Sequence, residues 1–139
     1  MKLLLDTNVI LDVLLDRDPH ASVSSGLWAA VEEGRASGFV AAHALTTIHY
    51  LVRKDRDARV ARRVTAAILD VFHIAPVDGR VLSAALDLGW SDYEDAVTAA
   101  AAISARCDLI ATRNPRDFRE SPVPVLDPAS ALAALLTPS

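Results

Sequence analysis

The sequence predicts an α/β protein built on a mostly parallel central sheet. Three observations carry that expectation. Short apolar runs alternate with longer segments of helical periodicity along the whole chain. Leu3, Leu4 and Leu5 are continuously apolar, without the in–out alternation of a half-exposed strand, so they suit a strand covered on both faces. The 139 residues are 52% apolar and 23% charged, enough to bury one core and too ordered in composition for a disordered chain. A single domain over residues 1–139 is expected, since no repeat, low-complexity segment or linker interrupts the pattern.

The elements follow in order. After the run at residues 3–5 the chain turns polar at Asp6, Thr7 and Asn8, and Val9, Ile10, Val13 and Leu14 then recur at helical spacing. The Asp-Arg-Asp-Pro stretch at 16–19 ends that helix, and a second helix is predicted over residues 21–33. Gly34 and Gly38 bracket a turn before a strand at 39–42. A helix with Leu45, Ile48, Leu51 and Val52 follows, then another over residues 56–72. A brief strand is expected at 73–77, and a helix at 81–88 closed by Gly89 as its C-cap. An alanine-rich helix opens near Asp92 and runs to about residue 106. A strand at 108–112, a turn-rich loop at 113–118, an edge strand at 123–126 and a closing helix from Asp127 complete the chain.

Composition excludes several classes. No apolar run approaches the roughly 20 residues of a membrane span. The first residues lack the basic-then-apolar pattern of an export signal, so a cytoplasmic location is expected. A single Cys107 allows neither an internal disulfide nor a cysteine-rich zinc site. The net charge of −4 argues against nucleic-acid binding by the whole surface. A local basic stretch at residues 53–63 holds Arg53, Lys54, Arg56, Arg59, Arg62 and Arg63, diluted by Asp55 and Asp57.

Acids collect where chemistry is expected. Asp6 lies at the carboxyl end of the first strand, the rim where open α/β sheets bind ligands. It suits either a helix cap or a metal ligand. Asp92 and Asp95 lie three residues apart and share a helix face, while Ser91 and Glu94 fit a capping box. Asn114 and Asp117 follow the strand that ends at Thr112. Converging carboxylates repel unless a cation neutralises them, and hard oxygen ligands with one amide select Mg²⁺ or Mn²⁺ over zinc. Such a site activates water for in-line displacement at phosphate. His20, His43, His49 and His73 show no metal-ligand spacing, and no nucleophile elbow or phosphate loop occurs.

With these residues in view, the sequence resembles the PIN-domain ribonucleases, above all the VapC-like toxins of bacterial toxin–antitoxin pairs. The matching stretches are Leu-Leu-Leu-Asp6-Thr-Asn8, Asp92-Tyr-Glu-Asp95-Ala96, and Ile110-Ala-Thr112-Arg-Asn114-Pro-Arg-Asp117-Phe118. The resemblance implies a three-layer α/β/α sandwich, a Mg²⁺- or Mn²⁺-dependent acidic site, RNA cleavage, a homodimer and a small antitoxin partner. Carried over, Asp6, Asp95 and Asp117 match the catalytic metal-site acids, with Asp92 a further metal ligand. Asn8, Thr112 and Asn114 match supporting positions. Thr47 departs from the pattern, because the family usually has glutamate there; Asp92 is the candidate to compensate. Arg56, Arg59 and Arg63, with Arg113, are the expected RNA contacts. Two rivals differ in class. A haloacid-dehalogenase-type phosphatase also opens on a strand ending in Asp, but needs a second Asp where Asn8 stands and a downstream lysine; the only lysines are Lys2 and Lys54. A PIN-fold module that binds RNA or a protein without cutting is favoured by Thr47 and opposed by the retained acids.

Overall fold

The computed structural model describes residues 1–137. Its centre is the leucine run: β1 (Lys2–Leu5) has Leu3, Leu4 and Leu5 at no more than 1% exposure. Such a strand survives only between two covered faces. It pairs in parallel with β2 (Ser37–Ala41) on one side and β4 (Leu109–Ala111) on the other. Outside them lie β3 (His73–Ala75) and β5 (Val125–Leu126), so the five-stranded, all-parallel sheet runs β3-β2-β1-β4-β5. The chain winds one way through β2 and β3, then returns past β1 to β4 and β5. The carboxyl ends of β1 and β4 therefore flank the point where winding reverses, and a crevice opens there.

Among the described residues seven helices cover the sheet, giving the expected α/β/α sandwich. α1 (Thr7–Leu14) packs on α2 (Ala21–Glu32), and α2 on the last helix, α7 (Pro128–Leu136). α3 (Ala42–Asp55) and α4 (Ala58–Val71) form a hairpin. α5 (Gly79–Leu88) packs on α6 (Tyr93–Ser104), which lies against β2, β3 and β4. The alanines make that approach close: Ala96, Ala99, Ala100, Ala101 and Ala102 are all buried, so small side chains bring the α6 backbone and its first-turn acids down to the sheet.

The predicted order of elements is the observed one, with two instructive differences. Gly38 lies inside β2, not at a turn. A Cβ there would come within 2.6 Å of Val31 and 2.7 Å of Phe72, so glycine lets the strand pass under α2 and the end of α4. The segment after β4 is a short 3₁₀ turn, η1 (Pro115–Phe118), not an open loop. Phe118 anchors it, 1% exposed and edge-on to Trp90 at 5.7 Å. Gly89 closes α5 at φ +70°, as a C-cap glycine should.

Candidate functional site

Asp6 sits at the switch point. Its amide donates to Ala111 O (2.9 Å), which ties the end of β1 to the end of β4. One carboxylate oxygen accepts from the Thr7 amide (2.8 Å) and caps α1; the other accepts from Thr112 Oγ1 (2.9 Å). The side chain is thus both cap and candidate ligand. Thr112 is fully buried, and its hydroxyl also accepts from the Asn114 amide (3.2 Å), with Asn8 Nδ2 at 3.5 Å. Asn8 Oδ1 takes the Arg113 amide at 3.3 Å. Asn8, Thr112 and Asn114 therefore join the two strand ends and fix where Asp6 points. Burial pushes the Asp6 carboxyl pKa up despite its two donors; the charge of Glu94 adds to the rise and that of His43 opposes it.

The second group comes from α6. Asp92, not Ser91, is the N-cap: its Oδ1 accepts from the Asp95 amide at 3.1 Å. This corrects the capping-box expectation, and it releases Glu94 from that duty. Asp95, one turn in, is pushed up to about 7, first by burial and then by the charges of Asp92, Asp6, Asp117 and Glu94. Asp117 lies on η1, directly after β4, so it shares the rim with Asp6 instead of lying across the sheet. Asp92, Asp95 and Asp117 line a cleft of about 520 Å³, together with Trp90, Arg116 and Arg119. Five carboxylates thus act on one another around the reversal of the sheet.

Among the described residues no three His, Cys, Asp or Glu side chains already lie close enough to hold a bare ion together. A Mg²⁺ ion held by Asp6, Asp95 and Asp117 together would therefore be bound partly through its own water, which it gives up reluctantly. The donor set fits: all-oxygen, strongly anionic, with one ligand candidate buried and ready-oriented. Asp6, Asp95 and Asp117 would hold the cation, with Asp92 beside them.

Two neighbours escaped the sequence reading. Glu94 is the acid whose charge reaches Asp6 where Thr47 offers none; Thr47 spends its hydroxyl on the His43 carbonyl (3.3 Å). His43 lies close enough to feel both Glu94 and Asp6, while burial lowers its pKa. Its Nε2 is 3.3 Å from Thr98 Oγ1, and that hydroxyl lies 3.1 Å from Glu94 O, so Thr98 links His43 to the first turn of α6. The only available signal for His43 was its place in the first turn of the helix after β2.

The arginines are dispersed. Arg113 Nε lies 2.8 Å from Oδ2 of Asp12, which is wholly buried, so charge rather than an aligned hydrogen bond joins α1 to the loop after β4. Its side chain remains 27% exposed. Arg56, Arg59 and Arg63 flank the α3–α4 turn. A 14-residue helix separates that turn from the rim, about 20 Å at the usual rise. Any contact they make with RNA is remote from the acids.

The fold and the acidic rim define a parallel α/β protein with a carboxylate site at its switch point. The PIN domain family matches residues 2–116, and the chain belongs to that family. No curated protein matched the sequence. Among solved structures, VapBC2 from Rickettsia felis, bound to a DNA fragment from its promoter, superposes with a TM-score of 0.72 at 15% identity, covering 91% of this chain and 98% of that one. DNA-bound VapBC from Salmonella typhimurium gives 0.71 at 15% identity, covering 92% and 98%. VapC20 of Mycobacterium tuberculosis, a toxin that cleaves the sarcin–ricin loop, gives 0.64 at 16% identity over 78% and 86%. Each likeness is one of fold.

Proposed function

We propose that the protein is a Mg²⁺- or Mn²⁺-dependent endoribonuclease acting as the toxin of a toxin–antitoxin pair. The observation that carries this reading is the gathering at one rim of Asp6 from the end of β1, Asp95 from the first turn of α6 and Asp117 from η1, close enough that burial and four surrounding carboxylates push Asp95 up to about 7. An acid cluster of that kind stores repulsion which a divalent cation relieves. Bound there, Mg²⁺ or Mn²⁺ supplies an acidified water and a counter-charge for phosphodiester hydrolysis. The chain's own residues do the rest. Thr7 and Thr112 hold Asp6 in one orientation, and α6 brings Asp95 down to the same rim. Arg116 and Arg119, on the cleft wall, offer charge to a phosphate.

An antitoxin partner belongs to the same reading, supported by the toxin–antitoxin complexes among the similar folds; a homodimer is part of the proposal through the family resemblance alone. No described helix is long and apolar enough to cross a membrane. Cleavage of single-stranded RNA with Mg²⁺, with Mn²⁺ and with chelator tests the proposal; Asp6→Asn and Asp95→Asn should abolish it while the fold survives. Thr47 favours a second reading, a module that binds without cutting. If the wild type cuts no RNA and Thr47→Glu gains cleavage, that reading replaces the first.

A further inference from the structure

A second cavity, of about 250 Å³, flanks the acidic rim on the β4–β5 side. Arg113 reaches it from the residue after Thr112, and Asp127 from the residue after β5; the Thr112 amide donates to Leu126 O at 3.0 Å, so both belong to one rim. Pro19, Val23 and His20 supply apolar and aromatic wall. Ser24 lines the cavity at 0% exposure, and its hydroxyl has no hydrogen-bond partner in the protein. A buried hydroxyl left unpaired is costly, and water or a polar group of a ligand in the cavity would complete it. Arg113 turns its Nε to Asp12, and its side chain keeps 27% of its surface exposed, so part of the guanidinium can face the cavity. One oxygen of Asp127 caps α7 through the Ser130 amide (2.7 Å), and the other is free to accept.

We propose that this cavity is a guanine pocket, reading one base of the RNA strand beside the scissile phosphate. Guanine presents two acceptors, O6 and N7, along one edge and N–H donors on the next, and arginine pairs with the O6/N7 edge. Arg113 supplies the donors, Asp127 the acceptor, and His20 and Pro19 the stacking surface. Adenine, with a donor where guanine has O6, meets a guanidinium that cannot accept from it. The volume admits one base and no duplex. The proposal rests on the nuclease reading for its substrate class, but its chemistry is separable from cleavage.

Nucleosides test it, because without a phosphate they do not engage the acidic site. Guanosine should bind the full-length protein about tenfold more tightly than adenosine in a calorimetric or saturation-transfer titration, the discrimination expected of one bidentate pair. Asp127→Asn keeps the α7 cap, since asparagine caps as well as aspartate. With its oxygen on Ser130, its amide nitrogen meets the guanine N–H edge, and the preference should collapse with an unchanged melting temperature. Ser24→Ala should weaken guanosine several-fold. Equal binding of the two nucleosides, a preference that survives Asp127→Asn, or cavity signals that move only with an antitoxin peptide each overturn the pocket. RNA cleavage without guanine bias removes the pocket and leaves the nuclease; guanosine selectivity without any cleavage does the reverse.

Discussion

Asp95 is where charge and burial conflict most visibly. Its carboxyl ionises near 3.8 ordinarily and near 7 in the fold. Below about pH 4 both folded and unfolded forms hold the proton. Between about pH 4 and 7 the unfolded chain loses it first, so the metal-free fold should lose stability as pH rises, and should level off above 7. Thermal melts across that window should show the fall in the wild type and a smaller one in Asp95→Asn. Saturating Mn²⁺ should remove it. Thr112 makes a second prediction. Thr112→Val keeps the shape and deletes the hydroxyl that serves Asp6 and the Asn114 amide, costing about 1–3 kcal/mol. Metal affinity should fall with it, and Thr112→Ser should restore both. Asp6, Asp92, Asp95 and Asp117 were legible in the sequence because acids at strand ends and helix starts are local patterns. His43 and Glu94 were not, since their influence comes from tertiary contact across α3 and α6. The pairing of buried Asp12 with Arg113 was hidden for the same reason.

At the scale of elements, α6 is capped by a residue of the candidate site: Asp92→Ala should destabilise the protein by about 1 kcal/mol, and Asp92→Asn by much less. Both should weaken metal binding if the charge of Asp92 matters there. Chemical denaturation alongside a metal titration separates the two roles. Gly38 tests the packing beneath α2. Gly38→Ala drives a methyl against Val31 and Phe72 and should cost about 1–3 kcal/mol while leaving the acids unaltered. The strands and helices were legible because apolar runs and 3.6-residue periodicity differ plainly along this chain. The tight turn of η1 and the strand position of Gly38 were not. A glycine marks a turn and a close approach alike, and only the neighbouring layer distinguishes them.

For the whole molecule, topology makes the site. The reversal between β1 and β4 puts Asp6 beside the η1 acid, and the alanine face of α6 lowers its carboxylates onto the same rim. The same topology carries Arg56, Arg59 and Arg63 to the far end of the α3–α4 hairpin. Neutralising the three should leave cleavage of a short RNA unchanged, and any role on longer RNA should show as a flatter salt dependence. The central claim is that Asp6, Asp95 and Asp117 share one divalent cation. Mn²⁺ titration by calorimetry in buffers of different ionisation enthalpy reads it most directly, because binding must displace the proton that the clustered charges keep on Asp95. Proton release should be evident at pH 6, nearly absent at pH 8, and abolished in Asp95→Asn. Mn²⁺ binding without proton release at pH 6, or equal binding by wild type and Asp95→Asn, would contradict the shared site.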